Sequence, residues 1–113
     1  MLFPCIIIGC LFSGCGHTRQ YNGMSKNEIL EKVPLSRHGY LLGYIDPLTG
    51  FEYRCIAFRS KDMIKKSAMS SKKWYVDFVG EIGWLTPQTA QAVIFDCNDI
   101  VIEQYTVYNY DGP

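Results

Sequence analysis

Two short turn-forming segments, Asp46-Pro47-Leu48-Thr49-Gly50 and Asp96-Cys97-Asn98-Asp99, each separate two runs rich in aromatic and β-branched residues. The first lies between Tyr40 to Ile45 and Phe51 to Phe58, the second between Ala90 to Asp96 and Ile100 to Tyr108. In the first, Pro47 fixes φ and Gly50 supplies a positive φ; in the second, Asn98 or Asp99 takes the left-handed position that glycine usually fills. Tight turns join antiparallel neighbours, so two hairpins are expected. A fifth run, Trp74 to Val79, adds a strand with Trp74, Val76 and Phe78 on one face, followed by a loop containing Gly80, Gly83 and Pro87. Alternation in the Phe51 to Phe58 arm places Tyr53, Cys55 and Ala57 on one face and Glu52, Arg54, Ile56 and Phe58 on the other.

Helical signals are fewer. Ser25 followed by Glu28 is a capping box, and Met24 with Ile29 occupies the positions of a hydrophobic staple. A helix is therefore expected from Lys26, with Ile29, Leu30 and Val33 inward, Lys26, Asn27, Glu31 and Lys32 facing water, and Pro34 ending it. Met63, Ile64 and Ala68 follow helical spacing in a second short helix from Lys61 to Met69, with Ser60 as its cap. At 113 residues and 48% hydrophobic, the chain has room for one modest core. The expected class is α+β, with one or two short helices packed on an antiparallel sheet of about five strands.

The net charge of zero is a cancellation. Residues 59–73 hold six cations against Asp62 alone, whereas residues 74–113 contain six carboxylates and no Lys or Arg. Three readings of Arg59, Lys61, Lys65, Lys66, Lys72 and Lys73 are open: a solvated face, attraction to anionic headgroups, or docking to an acidic partner. No basic and aromatic motif of a nucleic-acid reader occurs, so nucleic acid is not expected as a partner.

The start of the chain carries a different signal. Residues 2–12 are uncharged and mostly apolar, too short to span a bilayer but matching the hydrophobic region of an export signal. Ser13-Gly14-Cys15, which ends the run, resembles the lipobox of bacterial lipoproteins. That resemblance implies cleavage after residue 14, lipid on Cys15, and, with Gly16 rather than Asp next, an outer-membrane address facing the periplasm. The expected organisation is a signal peptide over 1–14, a lipidated tether over 15–23 and one domain over 24–113. Cys5 and Cys10 leave with the signal. Cys55 and Cys97 remain as free thiols or, in an oxidising periplasm, as a disulfide pair.

Parts for catalysis are scarce. His17 and His38 have no metal partner at ligand spacing, Asp96 and Asp99 suit a turn, and no phosphate-cradling glycine motif occurs. No enzyme, metal, cofactor or small-molecule substrate is expected. A Cys55 and His38 dyad would need tertiary proximity that sequence does not provide. The eight tyrosines suit strands as well as interfaces, while Trp84, in a glycine-flanked loop, is the aromatic expected to contact a partner. An apolar edge strand can also accept a partner strand.

Two stretches resemble the SmpA/OmlA, BamE-like family of small outer-membrane lipoproteins. Gly23-Met24-Ser25-Lys26 through Ile29 to Pro34 is similar to that family's helix start. Trp74-Tyr75, Thr86-Pro87-Gln88-Thr89, Val93-Ile94-Phe95-Asp96 and Ile100-Val101 are similar to its aromatic strand, loop and closing hairpin. Residues 35–73 depart from the family. The resemblance implies a non-enzymatic protein-binding module with an envelope protein as partner, an accessory of outer-membrane or envelope assembly. The alternative is a periplasmic inhibitor or immunity-type lipoprotein, using the hairpin around residues 46–50 and Trp84 to block an enzyme.

Overall fold

The computed structural model describes residues 19–80 and 88–108. The signal segment, Cys15, Trp84 and the last five residues lie outside them. The elements in order are α1 (Lys26–Lys32), β1 (Leu35–Ser36), β2 (Gly39–Ile45), β3 (Glu52–Phe58), a 3-10 turn (Lys61–Met63), α2 (Lys66–Met69), β4 (Lys73–Val79), β5 (Thr89–Phe95) and β6 (Val101–Tyr108). The class is α+β with an antiparallel sheet.

Both turn signals produce hairpins, β2–β3 and β5–β6. Asp46 Oδ1 accepts from the Leu48 amide in the first, and Asp99, at φ +62°, takes the left-handed position in the second. Across the sheet the order is β3-β2-β4-β5-β6. Tyr40 pairs with both Leu35 and Phe58, and Tyr44 with both Trp74 and Tyr53, so β1 and β4 share one edge of β2. The two-residue β1 carried no periodicity of its own and arises from the reversal at Arg37-His38, where Ser36 Oγ accepts from the His38 amide. Because β3 and β4 flank β2, the chain between them must cross it. That crossover, residues 59–72, is the basic segment.

The crossover is more broken than helical spacing predicts. Ile64 and Lys65 are extended, at ψ 128° and 153°, and divide the expected single helix into the 3-10 turn and the one-turn α2. Ser60 forms no side-chain cap. So little helix cannot hold itself, and tertiary bonds anchor it. Trp74 Nε1 donates to the Ala68 carbonyl at 2.7 Å, Tyr44 Oη lies 3.1 Å from Ser67 Oγ, and Ser71 Oγ accepts from the Ile45 amide.

Two irregularities reassign strand faces. A bulge in β3 opposite Gly43 brings Tyr53 to the same face as Ile56 and Phe58, against simple alternation. In β4, Asp77 adopts φ +54° and the register to β5 shifts between Val76 and Val79, so Phe78 joins Tyr75 rather than Trp74 and Val76. The main core lies on one face: Leu42 and Tyr44, Ile56 and Phe58, Trp74 and Val76, Val93 and Phe95 meet Ile29 and Val33 of α1, Ala68 and Tyr21. The other face holds a smaller cluster of Tyr75, Ala90 and Ala92 with Cys55, Phe78 and Val107.

The start of the domain also moves. Residues 19–23, expected as free tether, are bound to it. Tyr21 is fully buried, its Oη donates to Asp77 at 2.7 Å and its amide to Gln104 Oε1 at 2.8 Å. The Gly23 amide donates to the Val101 carbonyl, and Arg19 Nη1 caps the Lys32 carbonyl at the end of α1. A short polar stretch looks like a linker in sequence because its single apolar anchor, Tyr21, has no periodic companion.

Candidate functional site: a forked groove and an open strand edge

The shared edge of β2 creates a recess. β4 follows β2 only through Gly43 and Tyr44, then turns away at Asp77, while β1 takes the same edge at Gly39 and Tyr40. Leu41 is left at the base of the fork, in a small recess of about 120 Å³ with Val33, Pro34, Ser36, Asp77 and Phe78. Pro34, Asp77 and Phe78 also border a larger groove of about 500 Å³, completed by Arg19, Val79, Thr89, Gln91, Thr106 and Tyr108.

The polar wall of this groove is a connected chain. Gln104 Nε2 donates to the Arg19 carbonyl and to Gln91 Oε1, and Gln91 Nε2 donates to Thr106 Oγ1 at 2.8 Å. Two glutamines locked in this way have fixed amide orientations, which preorganises the wall at little further entropic cost. Burial chiefly, and the Asp77 carboxylate next, hold the Tyr21 phenol well above its ordinary range, so it stays a donor to Asp77 at any physiological pH. Arg19 and Asp77 are the only charges in the described lining; the rest is hydroxyl, amide and apolar surface. Such a surface suits an extended polypeptide, whose backbone offers donors and acceptors and whose side chains alternate.

The outer edge of β6 runs beside the groove. Its first residue is used: Val101 exchanges backbone bonds with Gly23 and Met24, and Ser25 bridges Ile100. From Ile102 to Tyr108 no described residue pairs with that edge. Edge strands are normally blunted by lysine, proline or a covering element, and this one has neither residue type. Ile102 and Tyr108 are 63% and 72% exposed.

The other expected site residues fall elsewhere. Arg59, Lys61, Lys65 and Lys66 all lie on the crossover, on the α1 side of the sheet. Lys73 does not join them, because strand alternation turns it to the opposite face, over the rings of Tyr75 and Tyr105. The structure holds Cys55 and Cys97 as free thiols. Cys55 is in β3 and Cys97 follows β5, three strand spacings or about 14 Å away in sheet order, too far for the Cα separation of a disulfide.

Burial also pushes the Cys55 thiol up to about 11 from 9.0, so at neutral pH it is not the thiolate a nucleophile requires. Its folded value is raised, so the stability that it contributes is complete below pH 9 and is lost as pH rises toward about 11. The buried phenols of Tyr21 and Tyr75 have the same sign above their ordinary value of 10.0. Lys26, held below 10.5 by burial, has the opposite sign, so the contribution of the thiol is isolated by comparison with a variant that lacks it. Urea titrations at successive pH values are expected to show wild type losing stability between pH 9 and 11 that Cys55→Ala retains; parallel profiles would remove the thiol as a cause.

Sequence reasoning missed Lys26, which it assigned to water. The residue is 3% exposed, with Nζ at 2.5 Å from the Met69 carbonyl, 2.6 Å from the Ser71 carbonyl and 3.0 Å from Asp99 Oδ1. The ammonium also sits 4.8 Å from the Phe95 ring centroid and 5.6 Å from that of Trp74. It is a latch joining α1, the end of the crossover and the β5–β6 turn. No signal in the sequence marks it, since its partners are backbone carbonyls far along the chain.

Among the described residues, no three His, Cys, Asp or Glu side chains converge as a metal site, and no helix is long and apolar enough to cross a membrane. No protein-family model, curated protein or solved structure was found to match the chain.

Proposed function

We propose that this chain is a non-enzymatic, lipid-anchored outer-membrane protein whose α+β domain binds an extended segment of an envelope protein partner, adding it as a strand along β6. The observation that carries the reading is the edge from Ile102 to Tyr108, with which no described residue pairs, beside a groove with a preorganised polar wall. Main-chain bonds to the edge would provide affinity, and the groove beside Tyr108 would select side chains. The export signal and the resemblance of Ser13-Gly14-Cys15 to a lipobox support the location. A role in envelope assembly follows from the BamE-like stretches alone.

A photoreactive residue at Ile102 or Tyr108 is expected to yield a discrete adduct with one envelope protein, while the same group at Leu48 yields none. Ile102→Lys should abolish the Tyr108 adduct and change stability by less than about 0.5 kcal/mol, because the side chain is exposed. Adducts of equal yield from Leu48 would favour the inhibitor reading, for which the 93% exposed Leu48 at the β2–β3 tip is the specific observation. A wild-type chain that takes up no fatty-acid label which Cys15→Ala abolishes would remove the lipid anchor from either reading.

A further inference from the structure

We propose that the outer surface of the crossover, residues 59–72, is a contact surface for an anionic phospholipid bilayer. The inner side of this segment is committed to the fold through Ala68, Ser67, Ser71 and the carbonyls held by Lys26. Its outward side chains are cationic: Arg59, Lys65, Lys66 and Lys72 are exposed, and Lys61 Nζ lies 5.1 Å over the Tyr40 ring. Asp62 is the single carboxylate in the segment. Among the described residues, none of Arg59, Lys61, Lys65 or Lys66 has an ion-pair partner; the two ion pairs are Lys26 with Asp99 and Glu52 with Arg54.

Three features favour a bilayer over an acidic protein. Four of the five cations are lysines, mobile point charges suited to a diffuse layer of headgroups, whereas fixed carboxylates are best met by the bidentate arginine fork. Met63, 58% exposed among these charges, offers an apolar side chain to the interface just below the headgroups. The third rests on the lipid-anchor reading: Cys15 is four residues before Arg19, which is bonded to the end of α1 on the same side of the sheet as the crossover. Four Cα steps reach at most about 15 Å, so a lipid on Cys15 would hold this side of the domain toward the membrane.

The test uses the full chain carrying Cys15→Ser, so that no lipid contributes, in co-sedimentation with phosphatidylcholine vesicles with and without phosphatidylglycerol. Any contribution of the apolar leader is common to both. Preferential binding to the anionic vesicles is expected, lost when salt rises from about 0.1 M to several times that value. At roughly fivefold per charge, Lys65→Gln with Lys66→Gln should weaken it about 25-fold, while Lys73→Gln on the opposite face should change it less than about twofold. Equal partition to both vesicles, or unchanged binding by the double variant, overturns the proposal. Capture on immobilised polyglutamate without vesicle preference also overturns it and assigns the surface to an acidic protein. Failure of the anchor reading is seen separately, as a wild-type chain that takes up no fatty-acid label at Cys15 while the purified Cys15→Ser chain keeps its vesicle preference.

Discussion

Lys26→Met is expected to lower the free energy of unfolding by about 3 kcal/mol, a large fraction of what a domain of this size has. Methionine fills nearly the same volume against Trp74 and Phe95, so the loss isolates the cation. Without it, the Met69 and Ser71 carbonyls lose a donor at 2.5 and 2.6 Å, the Asp99 carboxylate loses its partner, and two ring faces lose their charge. A buried acceptor left without a donor costs about 1–3 kcal/mol, and the carbonyl of Ser71, itself fully buried, has no ready access to water. Asp99→Asn should cost about 1 kcal/mol or less, because that side chain is half exposed and both carbonyl bonds persist. Urea unfolding at constant m-value measures both. A loss under 1 kcal/mol for Lys26→Met would mean that the latch does not hold α1, the crossover and the second hairpin together.

Gly43→Ala should be of similar size, about 3 kcal/mol, at the upper end of what overpacking costs. A Cβ at Gly43 would lie 2.2 Å from the Arg54 carbonyl oxygen and 2.8 Å from its carbon. Those atoms are backbone, so no side chain can swing aside. They are there because the β3 bulge packs two residues, Arg54 and Cys55, opposite this one glycine. Relief requires β3 to peel from β2 or to lose the bulge, and losing it would turn Tyr53 away from the core. Hydrogen exchange should therefore report β3 amides losing protection ahead of the rest of the sheet. Gly50→Ala is the contrast: its φ of +77° disfavours alanine, but the site is open, and about 1 kcal/mol is expected.

Both predictions depend on features that no local pattern encodes. The hairpins, the capped helix at Lys26 and the class were legible because each rests on neighbours in sequence: turn residues between β-rich runs, or Ser25 and Glu28 three apart. The bulges were not. Alternation has period two wherever pairing is regular, and an extra residue in one strand is specified by what lies opposite, here Gly43 for β3 and the departure of β4 at Asp77. Face assignments for Tyr53 and Phe78 failed for that one reason. The groove was equally hidden, since Arg19, Asp77, Gln91 and Thr106 come from four separate segments and become a wall only when β1 and β4 divide an edge of β2.

Charge illustrates the same division. Composition along the chain already separated a basic middle from an acidic end, and six cations were visible as one cluster. Tertiary structure then split the cluster, leaving Arg59, Lys61, Lys65, Lys66 and Lys72 on the crossover and sending Lys73 to the opposite face. By itself the sequence determined the hairpins, the first helix, the antiparallel α+β class and where charge concentrates, because short-range sterics and hydrogen bonding act between residues close along the chain. Only the tertiary structure decided that Lys26 is buried, that residues 19–23 are bound to the domain, that Cys55 and Cys97 stay apart and that no described residue pairs with β6 from Ile102 to Tyr108. Those outcomes depend on which distant backbone groups meet, and the energy of such a meeting is written in neither partner alone.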